Sequence, residues 1–328
     1  MGIVYRATHV IIHKPLAVKV LRSEHARQPE VLQRFLLEAQ LASQLKHPNV
    51  VDISDYGQLE GFSAYYVMEH LSGRTLAQEL AAAGRLAPAR AVAVAIQVAR
   101  GLGAAHDRGI VHRDLKPDNI FLGASPEGGE VVKILDFGIA RVLSKKTRLT
   151  AHGVVVGTPT YMSPEQAQSS SVDHRSDLYA LGLILFEMLA GKPPFGDKGM
   201  MEVVNQHLFQ APPSLAQVAP ELPAMPAIER VICGLLAKDR EERPQSAEEV
   251  ILLLEAGAAS DLGGAVARGA AGAATTAASP AESSPRRRAE TVNLGSGSVV
   301  EHLAAQSGVS AAVSDDDALT QPRGDRLA

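Results

Sequence analysis

Residues 112–119 read His112-Arg113-Asp114-Leu115-Lys116-Pro117-Asp118-Asn119, and 136–138 read Asp136-Phe137-Gly138. Between them lie two β-prone runs, 120–122 and 131–135, joined by the turn-rich segment 123–130. Two strands flanked in this way bring Asp114, Asn119 and Asp136 to one edge of a small sheet. Carboxylate and amide oxygens are the donors that hard divalent cations take, so such an edge suits a metal and a polyphosphate.

The rest of the chain supplies elements that could position that edge. Residues 1–71 are mostly strand-like, with β-prone runs at 2–7, 16–21, 50–56 and 64–69. One helical pattern interrupts them over 29–45, with Val31, Phe35, Leu41 and Leu45 near one face, and His47-Pro48-Asn49 ends it. A small antiparallel sheet with one helix packed on it follows from this. After Ser72-Gly73 the pattern turns helical. Thr75 suits an N-cap for 76–83, and Pro88 opens a long helix that ends near 108–109, with Val92, Ile96, Ala99 and Leu102 at core spacing. The stretch 176–190 carries Leu178, Leu181, Leu185 and Leu189 and reads as a helix buried nearly all round. Further helices are expected at 199–209, 227–237 and 246–256, the first two separated by a Pro-rich linker at 211–226.

The 328 residues suffice for one large domain or two lobes with a sizeable core, although alanine late in the chain inflates the 46% hydrophobic fraction. A formal charge of −4 gives no reason to expect nucleic-acid binding. The one cysteine, Cys233, sits in an apolar helical pattern, is expected to be buried, and fits a reduced, cytoplasmic setting. No signal peptide and no run of 18 apolar residues is evident, so no membrane span is expected. From Gly257 the composition shifts to Ala, Gly, Ser and Thr without aromatics, and 257–328 is expected to be a disordered tail. Within it, Arg286-Arg287-Arg288 before Thr291 reads as a solvated basic run, with docking or autophosphorylation as the alternative.

The order and spacing of these motifs resemble the catalytic domain of a eukaryotic-type serine/threonine protein kinase, bacterial branch, over residues 2–256. The resemblance implies an α+β, bilobal protein-kinase fold: an N-lobe at 1–71 with a small antiparallel sheet, a mainly helical C-lobe at 72–256, and the tail. It also implies ATP and Mg2+ as cofactors, with Mn2+ as a substitute, and protein substrates with Ser or Thr acceptors. In that family Lys19, in Ala17-Val18-Lys19, neutralises α/β-phosphate oxygens, and Glu38 pairs with it. Asp114 is the catalytic base, Lys116 steadies the transferring phosphoryl group, and Asn119 and Asp136 bind the metal. His112 and Phe137 are packing residues behind the loop. The adenine pocket falls to Gly2, Val4, Ala17, Met68 and Phe121 or Leu122, with Glu69, His70 and Leu71 offering backbone hydrogen bonds.

Residues 136–165 resemble an activation segment ending Ser163-Pro164-Glu165. Thr158 is expected to bond across to Asp114 and Lys116, Glu165 to pair with Arg243, and Asp177 to anchor the catalytic-loop backbone. Thr147 and Thr150, near Lys145, Lys146 and Arg148, read as activating phosphosites that would engage Arg113. Family members that activate in trans imply a transient dimer. One departure stands out: the chain begins at the last Gly-x-Val of the family's glycine-rich loop, Gly2-Ile3-Val4, so the lid over the phosphates is truncated, as at a fragment boundary. A binding-only pseudokinase or scaffold is therefore the alternative to an active enzyme. A small-molecule phosphotransferase is a third, less favoured by the acceptor segment and the 177 helix.

Overall fold

The computed structural model describes residues 2–22, 28–59, 63–125, 128–137, 159–168, 170–196, 199–263 and 292–294. The upper sheet is built from β1 (Gly2–His9), β2 (Pro15–Leu21), β3 (Ile53–Leu59) and β4 (Ser63–Glu69), in the order β3-β4-β2-β1. All three pairings among them are antiparallel. Helix α1 (Pro29–Ser43) opens with proline in its first turn and lays Phe35, Ala39 and Ala42 on the sheet. Its buried stripe thus uses two alanines where the sequence pointed to Val31 and Leu41, which remain partly buried.

A second sheet of three antiparallel strands, β5 (Gly73–Thr75), β6 (Ile120–Ala124) and β7 (Glu130–Ile134), carries the loops of interest at its ends. Thr75 then caps α2 (Leu76–Ala83) through a capping box with Gln78. Helix α3 (Pro88–His106) packs against β7, and α5 (Arg175–Ala190) is buried on nearly every face, as its unbroken apolar run requires. Gly182 in α5 lets α8 (Pro226–Leu235) approach: a Cβ there would sit 2.7 Å from that of Leu235. The short helices α4 (Pro164–Ala167) and α7 (Leu215–Val218), with α6 (Met200–Phe209), precede the last helix of the lobe.

Helix α9 (Ala247–Asp261) runs past the expected end of the compact region. Gly257 and Ala258 are small enough to pack on the start of α8, and Asp261 accepts the amides of Ala227 and Ile228 at 2.8 and 2.9 Å. Of the small residues that suggested a tail, Gly257 and Ala258 are here packing residues, while Ala256 and Ala259 stay exposed. Residues 292–294 form β8 (Val292–Leu294), which pairs in parallel with β1 through Ala7–Val292, Thr8–Asn293 and His9–Leu294. The basic run 286–288 and Thr291 lie outside the described residues. Cys233 is exposed, because α8 turns Ile228, Val231, Ile232 and Leu235 inward and leaves position 233 on the solvent face. Among the described residues no helix is long and apolar enough to cross a membrane.

Candidate active site

The loop 112–119 is held from behind by Asp177, in the first turn of α5 and 1% exposed. Its Oδ1 accepts the Arg113 amide at 2.8 Å, and its Oδ2 accepts the His112 amide at 2.8 Å and lies 2.9 Å from His106 Nε2. A carboxylate that deep needs several donors, and the loop backbone supplies two of them. His112 Nδ1 accepts the Asp114 amide at 3.3 Å, so Nε2 carries the proton and donates to the Leu135 carbonyl at 3.0 Å. Its ring stacks 4.9 Å from that of Phe137, which is fully buried. Arg113 takes φ +63°, a conformation that persists in a non-glycine residue only when its surroundings fix it.

Next along the loop, the Asn119 amide nitrogen donates to the Asp114 carbonyl at 2.8 Å, which leaves its amide oxygen as the available donor for a cation. Asn119 also accepts the Leu135 amide at 2.8 Å, tying the loop to the segment that carries Asp136. Lys116 Nζ lies 3.3 Å from Asp114 Oδ2. Asp114, Lys116, Asn119 and Asp136 are thus gathered by one short-range network at the ends of β6 and β7.

Asp136 receives two donors from the upper sheet. Lys19 Nζ on β2 lies 2.7 Å from Oδ2, and the Tyr66 hydroxyl on β4 donates to Oδ1 at 2.8 Å. Burial alone would push this carboxyl up, but the Lys19 charge and both hydrogen bonds outweigh it and hold it below its ordinary value. The expected Lys19–Glu38 pair is not formed. Burial in α1 pushes Glu38 up to about 8, against the lowering pull of nearby Lys19, which favours its neutral form. The ammonium pairs with Asp136 instead.

Above this edge, Val4 faces Lys19 across the β1–β2 ladder and Ala17 faces Met68 across β2–β4. A Cβ on Gly2 would lie 2.9 Å from the Val20 carbonyl and 3.3 Å from Lys19 Cγ, so the glycine lets β1 lie close over the lysine stem. The Glu69 carboxylate accepts the Asp52 amide at 2.8 Å and Lys133 at 2.6 Å, so its side chain is turned to these partners and Glu69 offers a ligand its backbone. Ile120 and Leu122 are buried, so alternation turns Phe121 to the opposite face of β6, and it is the better of the two candidates for the pocket.

On the acceptor side, Glu165 and Arg243 form a bidentate pair with both contacts at 2.9 Å, and Ser176 donates to the same carboxylate. Ser163 caps α4 in a capping box with Gln166, whose amide nitrogen reaches the Arg113 carbonyl at 2.8 Å. Gly138, Thr158 and the phosphosite candidates Thr147 and Thr150, with their basic neighbours, lie outside the described residues. Sequence reasoning missed three residues. A tyrosine in the buried run 64–67 raises the question of where its hydroxyl goes; Tyr66 answers it at Asp136. The Ser-x-x-Gln spacing signals the cap that places Gln166. Nothing in the local sequence marks His106 as a partner of Asp177.

Comparison with known proteins is consistent with this geometry. The family described as the protein kinase domain matches residues 1–252. The serine/threonine-protein kinase pkn3 of Myxococcus xanthus is 40% identical over 259 residues, covering 78% of this chain and 47% of its own length. The serine/threonine-protein kinase PknB of Mycobacterium leprae is 39% identical over 253 residues, covering 76% and 40% respectively. The chain therefore spans less than half the length of these curated relatives. Among solved structures, the kinase domain of Mycobacterium tuberculosis PknI superposes with a TM-score of 0.61 at 27% identity, over 79% of this chain and 91% of that one. The bilobal fold, the loop network and the match over three-quarters of the sequence place this chain in the protein kinase domain family.

Proposed function

We propose that this chain is a serine/threonine protein kinase that transfers the γ-phosphate of ATP, with Mg2+, to hydroxyls of protein substrates. The observation that carries the reading is the convergence of Asp114, Lys116, Asn119 and Asp136 on one edge, with Lys19 reaching it from the upper sheet. The donor set fits the metal: the Asn119 amide oxygen and the ionised Asp136 carboxylate would hold Mg2+, which favours a few protein oxygens alongside phosphate. When bound, the ion neutralises polyphosphate charge.

The chain's own residues do the rest. Asp114 orients the acceptor hydroxyl and takes its proton as that oxygen attacks the γ-phosphorus. The bond to the bridging oxygen breaks, its electron pair leaving with ADP. Lys116 offsets charge on the transferring group, and Lys19 turns from Asp136 to the α/β-phosphates. Val4, Ala17, Met68, Leu71 and Phe121 wall the base, the backbone at 69–71 bonds its edge, and Gly2 keeps β1 low over Lys19. Glu38 holds Lys19 once it ionises.

The test is phosphate incorporation into a protein substrate by this chain and by Asp114→Asn. Loss of the base lowers the rate ~10²–10⁴-fold. Equal incorporation by both would overturn the assignment.

A further inference from the structure

Tyr66 has a feature that packing does not require. Its ring, 2% exposed, lies 5.0 Å from that of Phe35, a contact phenylalanine would make equally well. A buried phenol must also place its hydroxyl, and here the partner is the Asp136 carboxylate at 2.8 Å. Lys19 and Tyr66 are directly paired in the β2–β4 ladder, and the Lys19 ammonium sits 5.4 Å over the Tyr66 ring. Two neighbouring strand positions therefore present two donors to one carboxylate just past the end of β7, a strand of the other sheet. Asp136 is held between them at φ +42°.

We propose that the Tyr66 hydroxyl is a latch on Asp136: it and Lys19 each bond one oxygen of the carboxylate, and so set how much Mg2+ the site requires. This rests on the kinase reading above. A cation approaching Asp136 must compete with both donors. Lys19 has a second task on the phosphates and leaves Asp136 when nucleotide arrives. Tyr66 has no such task, being walled in by Phe35 on α1, so its hydrogen bond is a standing cost to metal binding. Tyr65, one residue away, points to the other face of the sheet and packs with Ala7, Val18 and Val67, so it offers no substitute donor.

Tyr66→Phe removes the hydroxyl and keeps the ring. On the full chain, free Mg2+ is titrated in two ways: against binding of a fluorescent ATP analogue, and against phosphate transfer at saturating ATP. The expected result is a fall in half-saturating Mg2+ of about three- to tenfold in both titrations, the size of one net hydrogen bond. The shift appears in the Mg2+ requirement and not in the rate at saturating Mg2+. A hydroxyl that served only folding would lower the melting temperature and leave the titrations superimposable. An unchanged or raised half-saturating Mg2+ overturns the latch, as does a wild-type chain whose nucleotide binding is indifferent to Mg2+. Should the wild type bind nucleotide with Mg2+ but transfer nothing, the kinase reading fails and the binding titration still decides the role of Tyr66.

Discussion

Replacing Arg243 by alanine tests how the acceptor segment is tied down. The Arg243 guanidinium is fully buried and its partner Glu165 nearly so, with two parallel contacts of 2.9 Å between them. Arg243 also donates to the carbonyls of Ala237, Arg175 and Lys238 at 2.9, 3.1 and 3.2 Å, and its guanidinium lies 4.8 Å over the Tyr179 ring. Truncation leaves a buried carboxylate with Ser176 as its remaining side-chain donor, and takes one donor from each of three carbonyls. Breaking one side of a buried pair costs ~3–5 kcal/mol, a large part of the 5–15 kcal/mol that typically holds a domain together. The chain contains no tryptophan, so urea unfolding is followed by far-ultraviolet circular dichroism. The double variant Glu165→Leu with Arg243→Met removes both charges and recovers most of the loss, since a well-packed apolar pair can replace a buried ionic one. The pH dependence has a definite sign. Burial pushes the Glu165 carboxyl up, but its bonds from Arg243 and Ser176 prevail and hold it below its ordinary value. The advantage of wild type over Arg243→Ala is therefore full above the ordinary carboxylate value of 4.5 and is lost as pH falls through the lower folded value. A cost below about 1 kcal/mol at neutral pH would refute the reasoning, because that is the scale of an exposed pair.

Two further perturbations probe the site. Asp177→Asn turns an amide N–H2 toward one of the backbone amides of His112 and Arg113, displacing the loop. Transfer is expected to fall ~10²-fold with nucleotide binding retained, and an unaltered rate would show that the anchor is dispensable. Glu38 is raised in the nucleotide-free fold from 4.5 to about 8, so its neutral form contributes stability that is full below 4.5 and is lost as pH rises through about 8. Glu38→Gln should flatten the stability–pH profile of the nucleotide-free chain over that window, which thermal melts across the range would show; parallel profiles would argue against a buried neutral carboxyl.

How much was legible in the sequence depended on how local each interaction is. The loop 112–119 is readable because its constraints lie within a few residues: Asn119 to the Asp114 carbonyl, His112 to the Asp114 amide. Thr75 and the long apolar helix were equally plain, since capping and periodicity are short-range signals. Long-range pairs carried by strong charges, Glu165 with Arg243 and Asp177 with the loop, were implied by the family resemblance alone. What escaped was partner choice decided by burial. Lys19 has Glu38 and Asp136 within its field, and which of them it pairs with depends on how far desolvation raises Glu38, a quantity that no sequence pattern encodes. The end of the compact region escaped for a related reason: alanine and glycine at 256–259 look like linker composition, yet two of them, Gly257 and Ala258, are the small buried residues that the α8–α9 contact needs. Cys233 failed on phase, one residue separating the buried face of α8 from the exposed one.

The anchoring of the catalytic loop has a consequence for its motions. The amides of His112 and Arg113 are not bonded to a neighbouring strand, yet both end on the Asp177 carboxylate, inside the helix with the least access to water. Releasing either proton to solvent requires breaking its bond to that carboxylate, either by lifting the loop or by opening α5. Deuterium entry at these two positions, compared with that at the α5 amides, tells which of the two motions occurs. The residues facing the substrate move on a stage whose hinges are locked from below.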